Sequence, residues 1–198
     1  MKIAILTFEG FNELDSFIAL GIINRMHDKG WRAEIVSPSP QVTSLNGVTI
    51  NSQQSLEFAN SADVVLFGSG SKTREVAEDA SILNRLHLDG ERQLIGAQCS
   101  GTLLMAKLGL IGELPACTDL TTKPWVQAAG IKVIDAPFYA KENLATAGGC
   151  MSSQYLAAWI IAKLAGCEAA EQAIYYVAPV GQKSIYVDRV MKIIRPFI

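Results

Sequence analysis

The stretch Leu94-Ile95-Gly96-Ala97-Gln98-Cys99-Ser100-Gly101-Thr102-Leu103-Leu104-Met105-Ala106-Lys107 decides the fold. Its first part, Leu94–Ala97, is a short apolar run with the length of a buried strand. Leu103, Leu104, Met105 and Leu108 then recur at helical spacing. Only Gln98-Cys99-Ser100-Gly101 separates the two. A strand that turns into a helix this abruptly drives its apex residue into a strained backbone and thrusts the side chain outward. The positions two before and two after must then be small, and here they are Ala97 and Gly101. That is the logic of the nucleophile elbow, with cysteine where hydrolases usually place serine. A sulfur at this apex sits at a helix N-terminus, where unpaired N–H groups and the dipole favour an anion. Taken alone, the same residues also suit a small cysteine packed into a strand–helix turn.

Outward from the elbow, the pattern alternates strands with helices. Lys2–Phe8 reads as a β-rich strand, Glu9–Asn12 as a turn, and about Leu14 to Asp28 as a helix ended by Gly30. Trp31–Val36 follows as a strand, so the three make a βαβ unit and imply a parallel sheet. Between Ser37 and Asn60 the chain makes an excursion, in which Val42–Leu45 and Val48–Asn51 can pair as a hairpin across Asn46-Gly47. Asp63–Phe67 is a third core strand, followed by helical segments over Thr73–Ala80 and Ile82–His87. Beyond Gly109 the spacing predicts a short helix over Pro124–Ala129 and a strand over Ile131–Ile134. A hairpin of Phe138–Tyr139 with Leu144–Ala147 comes next, then helices over Ser152–Ala165 and Glu168–Val177. The tail to Ile198, with Pro179 and Pro196, reads as irregular. No repeat or linker interrupts the pattern, so residues 1–198 are expected to form a single domain.

Composition narrows the function. The 198 residues are 49% hydrophobic and 18% charged, which suits one large core. A formal net charge of -2 gives no footprint for nucleic acid. No apolar run reaches the ~18 residues of a membrane span, and Met1-Lys2 leads straight into a strand rather than a signal core. A cytoplasmic location is therefore expected. Cys99, Cys117, Cys150 and Cys167 lie far apart without C-x-x-C spacing, so neither a zinc site nor a disulfide framework is expected, and no cofactor.

Ligands of open parallel sheets bind beyond the carboxyl ends of the strands. Four loops meet that description: Glu9–Asp15, Gly68–Lys72, Gln98–Gly101 and Gly148–Ser152. The first offers Glu13 and Asp15. Either acid caps a helix and complements its dipole, or one of them leans over the sulfur as a proton donor or shuttle. Asp15 is favoured, with Leu14 expected to face the core. In the second loop, N–H groups of Ser69 and Gly70 could join that of Ser100 in an oxyanion hole, though a glycine turn after a strand explains the same residues. The fourth brings Gly149 and Cys150 to the same face; Cys150 is either a resolving thiol for an oxidised Cys99 or a packed small residue. Thr122 and the aromatics Trp125, Phe11 and Phe138 are candidate pocket residues. The only histidines, His27 and His87, fall at the opposite edge of the sheet. No imidazole is then available for a Cys–His mechanism, which argues against a protease or glutaminase.

These residues resemble the ThiJ/PfpI superfamily, within the class I glutamine amidotransferase-like fold, over nearly the whole chain. Ala97-Gln98-Cys99-Ser100-Gly101 and the helix after it are similar to the family's elbow, Phe8 to Asp15 to the loop bearing its acidic partner, and Ala145 to Gly149 to a further shared segment. Val64 to Gly70 is similar to a strand ending in Pro-Gly-Gly, with Phe67 in place of the proline and Ser69 in place of a glycine. The resemblance implies a flavodoxin-like three-layer α/β sandwich with a mostly parallel sheet, a homodimer, and Asp15 as partner of Cys99. Asp15 and Thr121 to Trp125 bring the chain nearest the isonitrile hydratase branch, with Lys123-Pro124 and Ser100 as departures. The expected activity is that of a cysteine-dependent hydratase or lyase on a small electrophile such as an isonitrile. The alternatives are a thiol-based redox or metabolite sensor without turnover, and glyoxalase- or deglycase-like action on methylglyoxal.

Overall fold

The computed structural model describes residues 1–198. Strand β1 (Lys2–Leu6) leads through Glu9–Asn12 into α1 (Glu13–Ile23). That helix tightens into a 3-10 segment, Asn24–Lys29, and stops at Gly30, whose φ of 75° is the left-handed cap glycine supplies. β2 (Arg32–Ser37) returns beside β1. The excursion holds the expected hairpin, β3 (Gln41–Thr43) and β4 (Thr49–Asn51), then a short edge strand β5 (Gln54–Ser55) and one helical turn α2 (Phe58–Ser61). Next come β6 (Val64–Phe67), α3 (Thr73–Glu78), α4 (Ala80–Leu83), β7 (Leu94–Gln98) and α5 (Gly101–Lys107). The chain finishes with α6 (Lys123–Ala128), β8 (Phe138–Lys141), β9 (Leu144–Ala147), α7 (Ser153–Ala165), α8 (Cys167–Val177) and α9 (Lys183–Ile194).

The main sheet runs β5-β2-β1-β6-β7-β9-β8, and every pairing but β8 with β9 is parallel. Successive strand residues face opposite ways, so each strand feeds two cores. Ile3, Ile5, Val64 and Leu66 pack under α1, α7, α8 and α9, around Trp159. Ala4, Leu6, Val65, Phe67 and Ile95 pack under α2, α3 and α5, around Leu104 and Met105. Because both faces are covered, β6 and β7 are buried along their whole length and read as continuous apolar runs rather than alternating ones. This is the expected flavodoxin-like three-layer α/β sandwich.

Four local expectations give way. Residues 183–194 form α9 instead of an irregular tail: Val187, Val190, Met191 and Ile194 make an i, i+3, i+4, i+7 stripe, and Pro179 and Pro196 bound the helix rather than break it. Ile131–Ile134 forms no strand; its one sheet-like contact is a bridge from Val133 to Ala116. The second helical segment after β6 covers Ala80–Leu83 and ends before His87. Leu14 is 49% exposed, because Asn12 caps α1 by accepting the Leu14 N–H and the first turn buries Asp15 and Ser16 instead.

Candidate active site

The elbow is built as the sequence demands. Cys99 has φ 47°, a left-handed conformation that a non-glycine residue holds at a cost of ~1–3 kcal/mol. The surroundings clamp it there: Cys99 N–H donates to Ala147 O at 2.8 Å, and Thr118 Oγ1 donates to Cys99 O at 2.8 Å. Gly101 permits the turn, since a Cβ there would lie 2.6 Å from Phe67 O and 2.7 Å from Gly68 O. Gly148 does the same for the neighbouring loop, where a Cβ would meet Thr118 O at 2.5 Å.

The first turn of α1 aims Asp15 at the apex. Asp15 and Cys99 are 2% and 4% exposed, and the Asp15 carboxyl, Cys99 Sγ and Cys150 Sγ all lie within 4.8 Å of one another. Ser69 Oγ donates a short hydrogen bond to Asp15 Oδ2, while the buried Asp15 Oδ1 has no partner. Gln98 Nε2 reaches Cys99 Sγ at 3.4 Å and Gly149 O at 2.7 Å, and its buried Oε1 is also unpaired. Asn12 Nδ2 donates to Cys150 Sγ at 3.2 Å. Unpaired buried oxygens cost free energy, so their concentration here marks a site shaped for something other than stability. Two sulfurs and a carboxylate also make a donor set that a soft divalent cation could accept. Cysteine spacing could not reveal this cluster, because its members come from three separate loops.

Electrostatics correct one expectation. Burial pushes the Cys99 thiol well above its ordinary value, the Asp15 charge pushes it further, and the Gln98 amide only partly opposes them. The resting sulfur is therefore a thiol, not a thiolate; desolvation and a facing carboxylate outweigh the N-terminus of the short α5. Burial likewise raises Asp15, against the Ser69 hydrogen bond and the nearby Cys99 and Cys150 thiols, and Asp119 adds to the rise. Thiol and carboxyl thus face one another within 4.8 Å, each raised by burial.

The oxyanion donors are rearranged too. Gly70 N–H donates to Ser100 Oγ at 3.2 Å, and that hydroxyl also pairs with Thr73 Oγ1 at 2.8 Å. Ser69 turns its hydroxyl to Asp15 and its carbonyl to Asn12 N–H. Ser100 N–H has no protein acceptor and remains the donor beside the sulfur. Glu13 points away: it accepts from Ser44 Oγ and Asn46 Nδ2, pinning the β3–β4 hairpin, and the Ser44 bond holds it below the ordinary carboxylate range. Gly149 stands behind Gln98 as a carbonyl acceptor with φ 87°.

A cavity of about 320 Å³ opens over Cys99, Ser100 and Cys150, with Thr122 and Trp125 on its wall. Arg74 stacks on Trp125 with its guanidinium carbon 4.6 Å from the ring centroid. Asn12, Leu45 and Asp119 also line it. Asn12 reads in sequence only as part of a turn, Asp119 carries no signal there, and Leu45 arrives only through the hairpin fold. Phe11 and Phe138 do not line it; Phe138 packs against Trp159 and Phe197 at the β8 edge. Both histidines sit at the other end of the sheet. His27 caps the turn whose Gly30 carbonyl accepts from the Met1 amino group, and His87 N–H donates to Asn60 ahead of β6.

The profile of the DJ-1/PfpI family matches residues 1–163, which span the sheet, the elbow, Asp15 and Cys150. The chain belongs to the DJ-1/PfpI family. Among solved structures it is similar to Schizosaccharomyces pombe DJ-1, at 17% identity and TM-score 0.77, covering 90% of this chain and 100% of that one. A ThiJ/PfpI family protein from Pseudomonas syringae aligns at 21% identity and TM-score 0.76, covering 98% and 87%. Oxidized Toxoplasma gondii DJ-1 aligns at 17% identity and TM-score 0.73, covering 89% and 97%. No curated protein matches the chain. At these identities the structural likeness speaks for the DJ-1 fold. No helix is long and apolar enough to cross a membrane.

Proposed function

We propose that this DJ-1/PfpI protein is a cysteine-dependent hydratase of a small electrophile, with an isonitrile as the substrate class. The observation that carries this is a buried carboxyl with one unpaired oxygen beside a thiol at a strained elbow. Hydration of an isonitrile needs a nucleophile, a proton carrier and water, and no imidazole. Cys99 Sγ attacks the terminal carbon as Asp15 takes the thiol proton. Asp15 returns that proton to the same carbon, leaving a thioimidate on Cys99. Water then adds to this carbon as Asp15 takes one of its protons and passes it to the imine nitrogen. The C–S bond breaks as Asp15 carries the proton of the new hydroxyl to the departing sulfur, which releases the N-formamide and restores the thiol. Ser100 N–H steadies negative charge on the adding oxygen. We also propose a homodimer, supported by the apolar surface that Leu14, Phe17 and Met151 expose beside the site. Sedimentation velocity checks it.

Turnover of cyclohexyl isonitrile to the formamide tests the enzymatic reading. Formamide above a Cys99→Ala control is expected, and none above it removes the claim. A second reading, a thiol sensor without turnover, has the half-buried Cys150 beside Cys99 in its favour. Glyoxalase-like action has no such observation; lactate formed from methylglyoxal would reveal it.

A further inference from the structure

The hydration steps leave Cys150 unused, although its sulfur lies within 4.8 Å of both Cys99 Sγ and the Asp15 carboxyl. We infer that Cys99 and Cys150 are a reversible oxidation pair, which closes into an intramolecular disulfide when the protein meets a peroxide. The inference deepens the thiol-sensor reading, and it shares with the hydratase reading the premises that Cys99 is reachable and that Asp15 takes its proton.

The geometry favours closure over further oxidation. A disulfide needs about 2 Å between sulfurs, and a rotamer change at a cysteine moves its sulfur by about 3 Å. Cys150 has the freedom to make that move. It stands in a 3-10 turn, Cys150–Ser152, directly after the exposed Gly149, and is itself half-buried. Its sulfur is held by one N–H···S bond from Asn12 at 3.2 Å, and thiols are weak acceptors. The other buried cysteine, Cys117, is absent from the cluster. Cys167 lies at the exposed start of α8.

The chemistry balances through Asp15, whose carboxyl lies within 4.8 Å of both sulfurs. In the first step Cys99 Sγ attacks a peroxide oxygen; the S–O bond forms and the O–O bond breaks. Asp15 takes the thiol proton and passes it to the departing alkoxide or hydroxide. Cys99 is oxidised by two electrons to a sulfenic acid and the peroxide is reduced to an alcohol or water. In the second step Cys150 Sγ attacks the Cys99 sulfur, forming S–S and breaking S–O. Asp15 takes the Cys150 proton and gives it to the leaving hydroxide, so water departs. Because the second thiol is already in place, this step outruns a second encounter with peroxide, which would give a sulfinic acid.

The test uses the full chain carrying Cys167→Ser, which silences the exposed thiol. It is reduced, exposed to a few equivalents of hydrogen peroxide, and analysed by intact mass and peptide mapping. The expected product is lighter by about 2 Da, with a Cys99–Cys150 cross-linked peptide that dithiothreitol reverses. Adding Cys150→Ser should divert Cys99 to a species heavier by about 32 Da that dithiothreitol does not reverse. Cys99 gaining about 32 Da while Cys150 is present, or a disulfide to Cys117, overturns the pairing. So does no modification at all. Isonitrile turnover measured on the same reduced sample then shows whether the hydratase reading falls with it or stands alone.

Discussion

Cys99 and Cys117 occupy the same end of the sheet, both buried and both free thiols, yet only one is placed for chemistry. Burial pushes the Cys117 thiol up to about 12, with a Thr146 hydrogen bond opposing it, and no carboxylate is among the causes of its shift. Its backbone is held by regular bonds, its N–H donating to Thr146 Oγ1 and its carbonyl accepting from Thr102 Oγ1, each at 2.8 Å. Cys99 is raised by the same burial, but it sits at φ 47° against a carboxyl with an unpaired oxygen. Burial alone therefore makes a thiol inert, and a neighbouring proton acceptor converts that inertness into attack coupled to proton transfer.

The largest expected effect breaks the comparison outright. Cys99→Ala should lower isonitrile turnover by about 10⁴-fold, while Cys117→Ala should cost on the order of 1 kcal/mol of stability and leave turnover within about 2-fold. Steady-state kinetics and urea unfolding check both halves. Next, Asp15→Asn should lower kcat/KM by about 10²–10⁴-fold. It should also flatten the pH dependence of stability. The folded protein holds the Asp15 proton more tightly than the unfolded chain does, so that stabilisation is full below the ordinary value of 3.8. It is lost as pH rises through the raised folded value. Urea titrations at stepped pH should show that slope in the wild type and not in Asp15→Asn.

Much of this site was legible in the elbow itself. Ala97, Cys99 and Gly101 announce a tight strand–helix turn because only small flanks let it close, and the clashes at Gly101 are the physical form of that rule. Asp15 was legible as an acid at the start of a helix after the first strand. The ionisation state was not, since it depends on burial and on Ser69 and Gln98, which only the folded chain brings to the pair. The cavity wall was hidden for the same reason: Leu45 and Asp119 belong to loops without chemical pattern. In the fold, α9 was obscured by two prolines that lie at its margins, though its apolar stripe was there to be read.

Smaller changes sharpen the contrast. Gly101→Ala forces a Cβ to within 2.6 Å of Phe67 O, so it should destabilise the fold by about 1–3 kcal/mol and displace Cys99. Thermal unfolding and turnover should fall together. Ser69→Ala removes the hydrogen bond that draws the Asp15 pKa down. The acid limb of its kcat/KM profile should move to higher pH, with a loss of only about 10-fold at the optimum. An unmoved limb would separate Asp15 from the rate-determining proton transfer.

The rate at which iodoacetamide labels Cys99, mapped by peptide mass in the wild type and in Asp15→Asn, tests the central claim most directly. If Asp15 takes the thiol proton as sulfur attacks, the variant should label at least about 10-fold more slowly near neutral pH. If Asp15 is only a nearby negative charge, its removal should ease ionisation of the thiol. Equal or faster labelling in Asp15→Asn would contradict the account.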